Sequence, residues 1–282
     1  MNGAEVKRLS RVVFLGTGTS QGVPIIGCGC DVCQSGDVRD RRLRTSVAME
    51  AGDLRVVVDT GPDFRCQMLR EGIASLEAVV YTHEHKDHLA GMDDVRPFNY
   101  LQKRAMTLHA SERVELALRR DFHYAFEENK HGGVPDICLE RVTDHVPFEA
   151  GTMTWHPLPV LHGELPIHGY RVDDVAYITD ANNLPEPTMK ALNGVDVLVL
   201  NALRPSPHYS HFSLGEAVQV AKEVGARRTY FTHVSHLMGR HENAEQLLPE
   251  GMKFAYDGLS LERTEAGWEE QESEWLEKIR KR

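Results

Sequence analysis

Residues 82–88, THEHKDH, place three histidines and an aspartate within seven positions, directly after the hydrophobic run LEAVVY. Alternate side chains of an extended segment point the same way, so His83 and His85 can bind one metal ion. As the chain turns, Asp87 and His88 can reach a second ion nearby. Imidazole with carboxylate suits Zn²⁺, Mn²⁺ or Fe²⁺ without a strong choice among them. A solvated polar loop at a strand end would account for a single histidine; it accounts poorly for H-x-H-x-D-H at this density.

Residues 27–33, GCGCDVC, hold Cys28, Cys30 and Cys33. This spacing resembles half of a zinc site, and a closed structural zinc takes four ligands, so the loop by itself is one ligand short. A reduced, metal-free loop is the competing reading. Cys66 and Cys138 stand alone and read as small buried residues. Five cysteines, three of them clustered, fit metal binding in a reducing cytoplasm better than a disulfide framework.

The elements that must position these residues alternate between strand and helix. RVVFLG reads as a buried strand entering the loop GTGTSQGVP, RTSVAME and LRVVVDTG as the next strands, and PDFRCQMLREG as a short helix stopped by Gly72. Ser111 can cap a helix over ERVELALRRDFHYAF, before the polar stretch EENKHGGVPD. TMTWHPLPVLH, HGYRV, VAYITD and DVLVLNAL read as strands. SLGEAVQVAKEVG carries a capping box, Ser213 with Glu216, and feeds the strand RTYFTHVSH. VVYTHEH and TYFTHVSH echo each other, which hints at two similarly built halves. No low-complexity linker divides the chain, so one α/β domain is expected over residues 1–282, with 265–282 as a surface tail.

The 282 residues are 41% hydrophobic and 26% charged, with a net charge of −10. This acidity disfavours a duplex-binding surface as the main feature. No apolar run is long enough to span a bilayer, and MNGAEVKRLS lacks the hydrophobic region of a signal peptide, so the expected location is the cytoplasm.

H-x-H-x-D-H after a hydrophobic strand resembles the metallo-β-lactamase superfamily, and other positions agree in order across residues 12–258. Asp59 in VVVDTG matches the early aspartate that supports the metal-binding loop. His162 in PVLHGE matches the third histidine, Asp180 in AYITDA the bridging carboxylate, and His233 in YFTHVSH the last histidine. The resemblance implies a four-layer αββα sandwich and a dinuclear site of two Zn or Mn ions. One ion would take His83, His85 and His162, the other Asp87, His88 and His233, with Asp180 bridging. It implies hydrolysis by a metal-bridging hydroxide, with Asp87 and His211 as catalytic residues. His211, in HYSHFSLGE, is the candidate to serve the leaving oxygen, beside a helix N-terminus that would favour an anion. The bland alternative for His208 and His211 is a surface loop.

LGTGTSQGVPIIGCGCDVC narrows the resemblance to the phosphodiesterase branch that opens phosphoribosyl cyclic phosphate. There a C-x-C-x-x-C loop and a histidine just after the last catalytic one hold a structural zinc. His236, three residues beyond His233, is the matching position for Cys28, Cys30 and Cys33. The implied substrate is a small phosphodiester, with no membrane and with nucleic acid unfavoured as the main substrate. Two other readings are a transfer-RNA 3′-processing nuclease and a cofactor-biosynthesis or carrier protein on the same fold. The nuclease reading is weakened by the cysteine loop and by the 53 positions from Asp180 to His233, which a strand and a helix fill.

Residues 111–136 depart from the branch's pattern and are candidates for reshaping the pocket or for a homodimer contact. Gly16, Gly18 and Gly22 form G-x-G-x-x-x-G, one residue off a dinucleotide fingerprint, with Pro24 where a helix should start. Arg65, Arg96 and Arg204 lie near the motifs and read as structural ion-pair partners.

Overall fold

The computed structural model describes residues 7–127, 132–273 and 275–276. The first strands among the described residues are β1 (Arg11–Gly16), β2 (Ser46–Ala51), β3 (Leu54–Val58), β4 (Ala78–Val80) and β5 (Met106–Ala110). They are followed by β6 (Ile137–Arg141), β7 (Phe148–Ala150), β8 (Met153–His162), β9 (Leu165–Val172) and β10 (Val175–Ile178). The last five are β11 (Val197–Asn201), β12 (Arg228–Thr232), β13 (Met252–Phe254), β14 (Leu259–Thr264) and β15 (Gly267–Glu272). The helices are α1 (Phe64–Glu71), α2 (Lys86–Leu89), α3 (Arg96–Gln102), α4 (Glu112–Asp121), α5 (Glu186–Ala191), α6 (Leu214–Val224) and α7 (His241–Glu245).

Two sheets form, in the orders β15-β14-β1-β2-β3-β4-β5-β6 and β13-β12-β11-β10-β9-β8-β7. Strand side chains alternate, and here both faces of each sheet are covered, which is why the strands read as continuous hydrophobic runs. From β1, Val12 and Phe14 enter the core between the sheets, where they join Val58, Tyr177 and Tyr230. Val13 and Leu15 face the other way, against Phe64 and Met68 of α1 and Leu118 of α4. Ile178 and Leu200 pack beneath Ala217 and Ala221 of α6. The layers run helix, sheet, sheet, helix, which is the expected four-layer αββα sandwich.

Strands β3 to β6 pair in parallel, as do β10 to β13. Their carboxyl ends therefore lie along common edges, the usual place for a site in such sheets. Three of these ends turn abruptly: Asp59, Asp180 and His233, directly or two residues beyond β3, β10 and β12, have φ of 67°, 60° and 56°. Non-glycine residues seldom adopt the left-handed region, and the cost is tolerated where surrounding structure fixes a functional side chain. Gly61 allows a further close approach, since a Cβ there would lie 2.1 Å from the backbone oxygen of Asp87.

The helix signals act as expected. Ser213 and Glu216 form the capping box of α6, and Gly225 ends it with φ 69°. Gly72 ends α1 in the same way. Ser111 caps α4, but that helix stops at Asp121 and a 3₁₀ turn follows over His123–Ala125, so the expected run to residue 126 is shortened. Part of the excursion expected after it, residues 128–131, lies outside the described residues.

Two expectations are corrected. Residues 265–282 are not wholly a surface tail: Gly267–Glu272 pair with β14, and Trp268 is buried. The run of glutamates hid this strand, because charge suits a sheet edge that must not pair further. Cys66 and Cys138 are exposed, not buried. Among the described residues no helix is long and apolar enough to cross a membrane.

Candidate metal centre

The turn after β4 delivers His83 and His85, and α2, which follows immediately, carries Asp87 and His88; β8 ends on His162; Asp180 follows β10 and His233 follows β12. All seven converge. Ligand atoms of His83, His85 and His162 lie within 4.8 Å of one another, as do those of Asp87, Asp180 and His233. Asp180 also groups with His83 and His88, and with His162 and His211, so it is common to three of the four sets. His233 Nδ1 is 3.1 Å from Asp180 Oδ1. His88 Nε2 is 3.2 Å from Asp87 Oδ2 and 3.4 Å from Asp180 Oδ1, and it also groups with His83 and Asp180.

Partners on the far side of each ring fix which nitrogen faces inward. His162 Nδ1 is 2.9 Å from the Ser210 carbonyl oxygen, which can only accept, so Nδ1 carries the proton and Nε2 presents its lone pair. Thr82 donates its hydroxyl to Asp59 Oδ2 at 2.8 Å and therefore accepts from His83 Nδ1 at 2.9 Å. Asp59, fully buried, also accepts from the Thr82 backbone N–H at 2.8 Å and from His88 Nδ1 at 2.7 Å. His233 Nε2 lies 3.4 Å from Thr19 Oγ1. These partners leave His83 Nε2, His88 Nε2 and His233 Nδ1 buried without a hydrogen bond. Buried ring nitrogens without a partner, on rings each backed by a second hydrogen bond, match what divalent metals require of imidazole ligands.

Burial opposes charge on His88, but Asp180 and Asp87 outweigh it and hold the ring well above the usual histidine range, so a metal must displace its proton. Burial opposes charge on Asp180, but His233 and His88 outweigh it and hold the carboxyl well below the usual carboxylate range. Asp87 is held low in the same way by His88 against its burial. Burial keeps His83 neutral. His211 is pushed down to about 3, chiefly by burial and then by His233. Its ring stacks 4.8 Å from that of His233, and its Nδ1 lies 3.9 Å from Asp180 Oδ2, so it belongs to the site and not to a surface loop. The N-cap of α6, Ser213, stands two residues after His211 and pairs with Glu216, and no residue of α6 itself lines the two chambers.

The second cluster forms between the N-terminal loop and the segment after β12. Sγ of Cys28, Cys30 and Cys33 lie 3.4, 3.3 and 3.6 Å from His236 Nδ1. Bonds of about 2.3 Å to sulfur and about 2.0 Å to nitrogen at tetrahedral angles would set that separation at about 3.5 Å, so the geometry fits zinc. The Cys33 backbone N–H and His236 bring the Cys30 thiol down to about 6, whereas burial pushes Cys33 up to about 11. The first thiolate thus forms on Cys30, and a metal must displace the proton of Cys33. Val234 N–H donates to Thr17 O at 2.9 Å, so the same loop is tied to the strand end that bears His233. Cys30→Ser is expected to remove one zinc per chain and to lower Tm by about 5 °C or more. Metal analysis by plasma mass spectrometry checks this, and unchanged zinc would refute the assignment.

The cleft has two chambers. One of about 270 Å³ holds Asp87, Asp180, His211 and His233. A wider one of about 650 Å³ adjoins it, and both share His85, His162, Tyr209 and Ser210. Among the described residues neither is lined by lysine or arginine. Arg96 pairs with Asp93 at 2.7 Å, and Arg204 donates to the carbonyls of Ser206 and Pro207. Thr19, Thr82, Ser210 and Tyr209 carry roles that sequence reasoning missed. Only Thr82, next to the histidine motif, offered a signal.

The sequence matches the family model of the β-lactamase superfamily domain over residues 54–234. It is 44% identical to a crystal structure described as a new diphosphatase from the PhnP family, with TM-score 0.84, covering 90% of this chain and 96% of that one. An octanoyltransferase of Porphyromonas gingivalis is 37% identical over 91% of this chain; the chain spans about half of that protein's length (52%). Zn²⁺-bound PqqB from Methylobacterium extorquens shares the fold at TM-score 0.73 and 19% identity, covering 89% of this chain and 99% of that one. Fold, ligand order and these likenesses agree: the chain belongs to the metallo-β-lactamase superfamily, within its PhnP family.

Proposed function

We propose that the chain is a metal-dependent phosphodiesterase that hydrolyses a small, cyclic phosphodiester. The observation that carries this is the convergence of unpartnered His83 Nε2, His88 Nε2 and His233 Nδ1 around Asp180, in a cleft that no lysine or arginine lines among the described residues. An anionic substrate must then find its positive charge in bound ions. His83, His85 and His162 would hold one, Asp87, His88 and His233 the other, with Asp180 between them. Such ions supply Lewis acidity toward a phosphoryl oxygen and toward water. Asp59 and Ser210 hold the ligand rings in place. His211, kept neutral by burial, offers a ring N–H to the leaving oxygen.

The chamber of about 270 Å³ has room for a phosphoryl group beside two ions. A disubstituted diphosphate presents the same singly charged phosphorus between two bridging oxygens. The 44% identical diphosphatase favours it as a second reading. A nuclease reading has less support, because residues 181–232 are taken up by α5, β11, α6, β12 and their connections, with no long arm. The octanoyltransferase name belongs to a protein only about half covered by this chain.

Metal-loaded protein offered a 2′,3′-cyclic nucleotide, bis(p-nitrophenyl) phosphate, a dinucleoside diphosphate and a precursor transfer RNA is expected to open the cyclic ester fastest. Preference for the diphosphate would install the second reading, and RNA cleavage far above the rest would install the nuclease. His211→Ala is expected to lower kcat by about 10²–10³-fold with metal content unchanged. Unaltered kinetics would remove His211 from the mechanism.

A further inference from the structure

We propose that the wider chamber is a nucleoside subsite and that Tyr209 is its stacking platform, an inference that rests on the phosphodiesterase reading above. Tyr209 is 82% exposed although it borders the buried cluster of Asp180, His211 and His233. Its backbone is nonetheless fixed: the Tyr209 carbonyl accepts from Asn182 Nδ2 at 2.9 Å, and the next carbonyl, of Ser210, holds His162 Nδ1 at 2.9 Å. The ring thus stands uncovered on a segment that cannot shift without moving the partner of His162, a preorganised surface rather than a loose one.

Gly163 keeps that surface clear. It has φ 64°, and even a Cβ there would sit 3.8 Å from the Tyr209 ring, so a longer side chain would lie against it. The His208 ring flanks the other side, 4.7 Å away and tilted by 36°. The volume, about 650 Å³, falls within the range of small-ligand sites.

Charge decides what the chamber takes. Its ionisable lining outside the histidine cluster is Glu164, with no lysine or arginine among the described residues, so a second phosphate is disfavoured there. The group carried beyond the reacting phosphorus is therefore uncharged and flat, and it donates hydrogen bonds to a carboxylate. A nucleoside whose base bears an exocyclic amine meets all three conditions. Base–aromatic stacking of this kind is worth about tenfold or more in affinity.

Calorimetric titration of the zinc-loaded protein with adenosine monophosphate and with ribose 5-phosphate tests the subsite by binding alone. Adenosine monophosphate is expected to bind about tenfold or more tightly. Tyr209→Ala should bring the two ligands within about twofold, and Tyr209→Phe should restore the preference. Equal affinity in the wild type, a preference that survives Tyr209→Ala, or no binding of either ligand at millimolar concentration would overturn the proposal. A base preference without turnover of any diester or diphosphate would instead sink the enzymatic reading and leave the subsite standing. Turnover without a base preference would do the reverse.

Discussion

Asp180→Ala is expected to reduce turnover of a small phosphodiester by about 10³-fold or more, the largest catalytic effect of any single substitution here. The reason is its place in the geometry. Asp180 takes part in three of the four groupings of ligand atoms, with Oδ1 3.1 Å from His233 and 3.4 Å from His88. Its φ of 60° commits the backbone to aiming the carboxylate inward, so no neighbour can substitute for it. Loss of the carboxylate removes the negative charge that two adjacent cations would share. Metal content should fall along with kcat, while the zinc held by the cysteines is retained. A variant that keeps full metal content and loses less than about tenfold in kcat would show that Asp180 does not bridge.

The largest effect on stability is expected from Asp59→Ala, about 3–5 kcal/mol. Asp59 is fully buried and accepts three hydrogen bonds, from Thr82 N–H, Thr82 Oγ1 and His88 Nδ1. Truncation strands all three donors where water cannot reach them, and each such loss costs about 1–3 kcal/mol. The same change frees the rings of His83 and His88 to rotate, so metal affinity should fall about 10–100-fold. Urea unfolding of the metal-free protein isolates the first effect, read as a lower midpoint at constant slope. Asp59→Asn, which keeps shape and one acceptor, should recover part of the loss. If Asp59→Ala moved the metal-free stability by less than about 1 kcal/mol, the buried network would not organise the motif.

What could be read from sequence follows from how local each signal is. The H-x-H-x-D-H cluster declares itself, because its ligands sit within six positions of one turn. His162 and Asp180 are ordinary residues at strand ends, and only their order relative to that cluster marked them. The pairing of the cysteine loop with His236 spans some two hundred positions, and the family resemblance supplied it; no spacing rule could. Ser210 and Tyr209 were invisible for a physical reason: both are tied in through backbone carbonyls, which every residue type possesses. The capping box of α6 was legible as a cap, because Ser213 and Glu216 sit three positions apart. Strand β15 was hidden because its glutamates follow the needs of a sheet edge rather than a hydrophobic alternation.

The central claim is that the histidine–aspartate cluster, once loaded with metal, cleaves a phosphodiester. It is tested most directly by returning zinc stepwise to stripped protein while counting bound ions and following hydrolysis of a 2′,3′-cyclic nucleotide. Thiolates select zinc strongly, so the first equivalent should enter the Cys28, Cys30, Cys33 and His236 site silently. Turnover should then rise as the second and third ions bind. Turnover in the stripped protein, or none with three ions bound, would contradict the account.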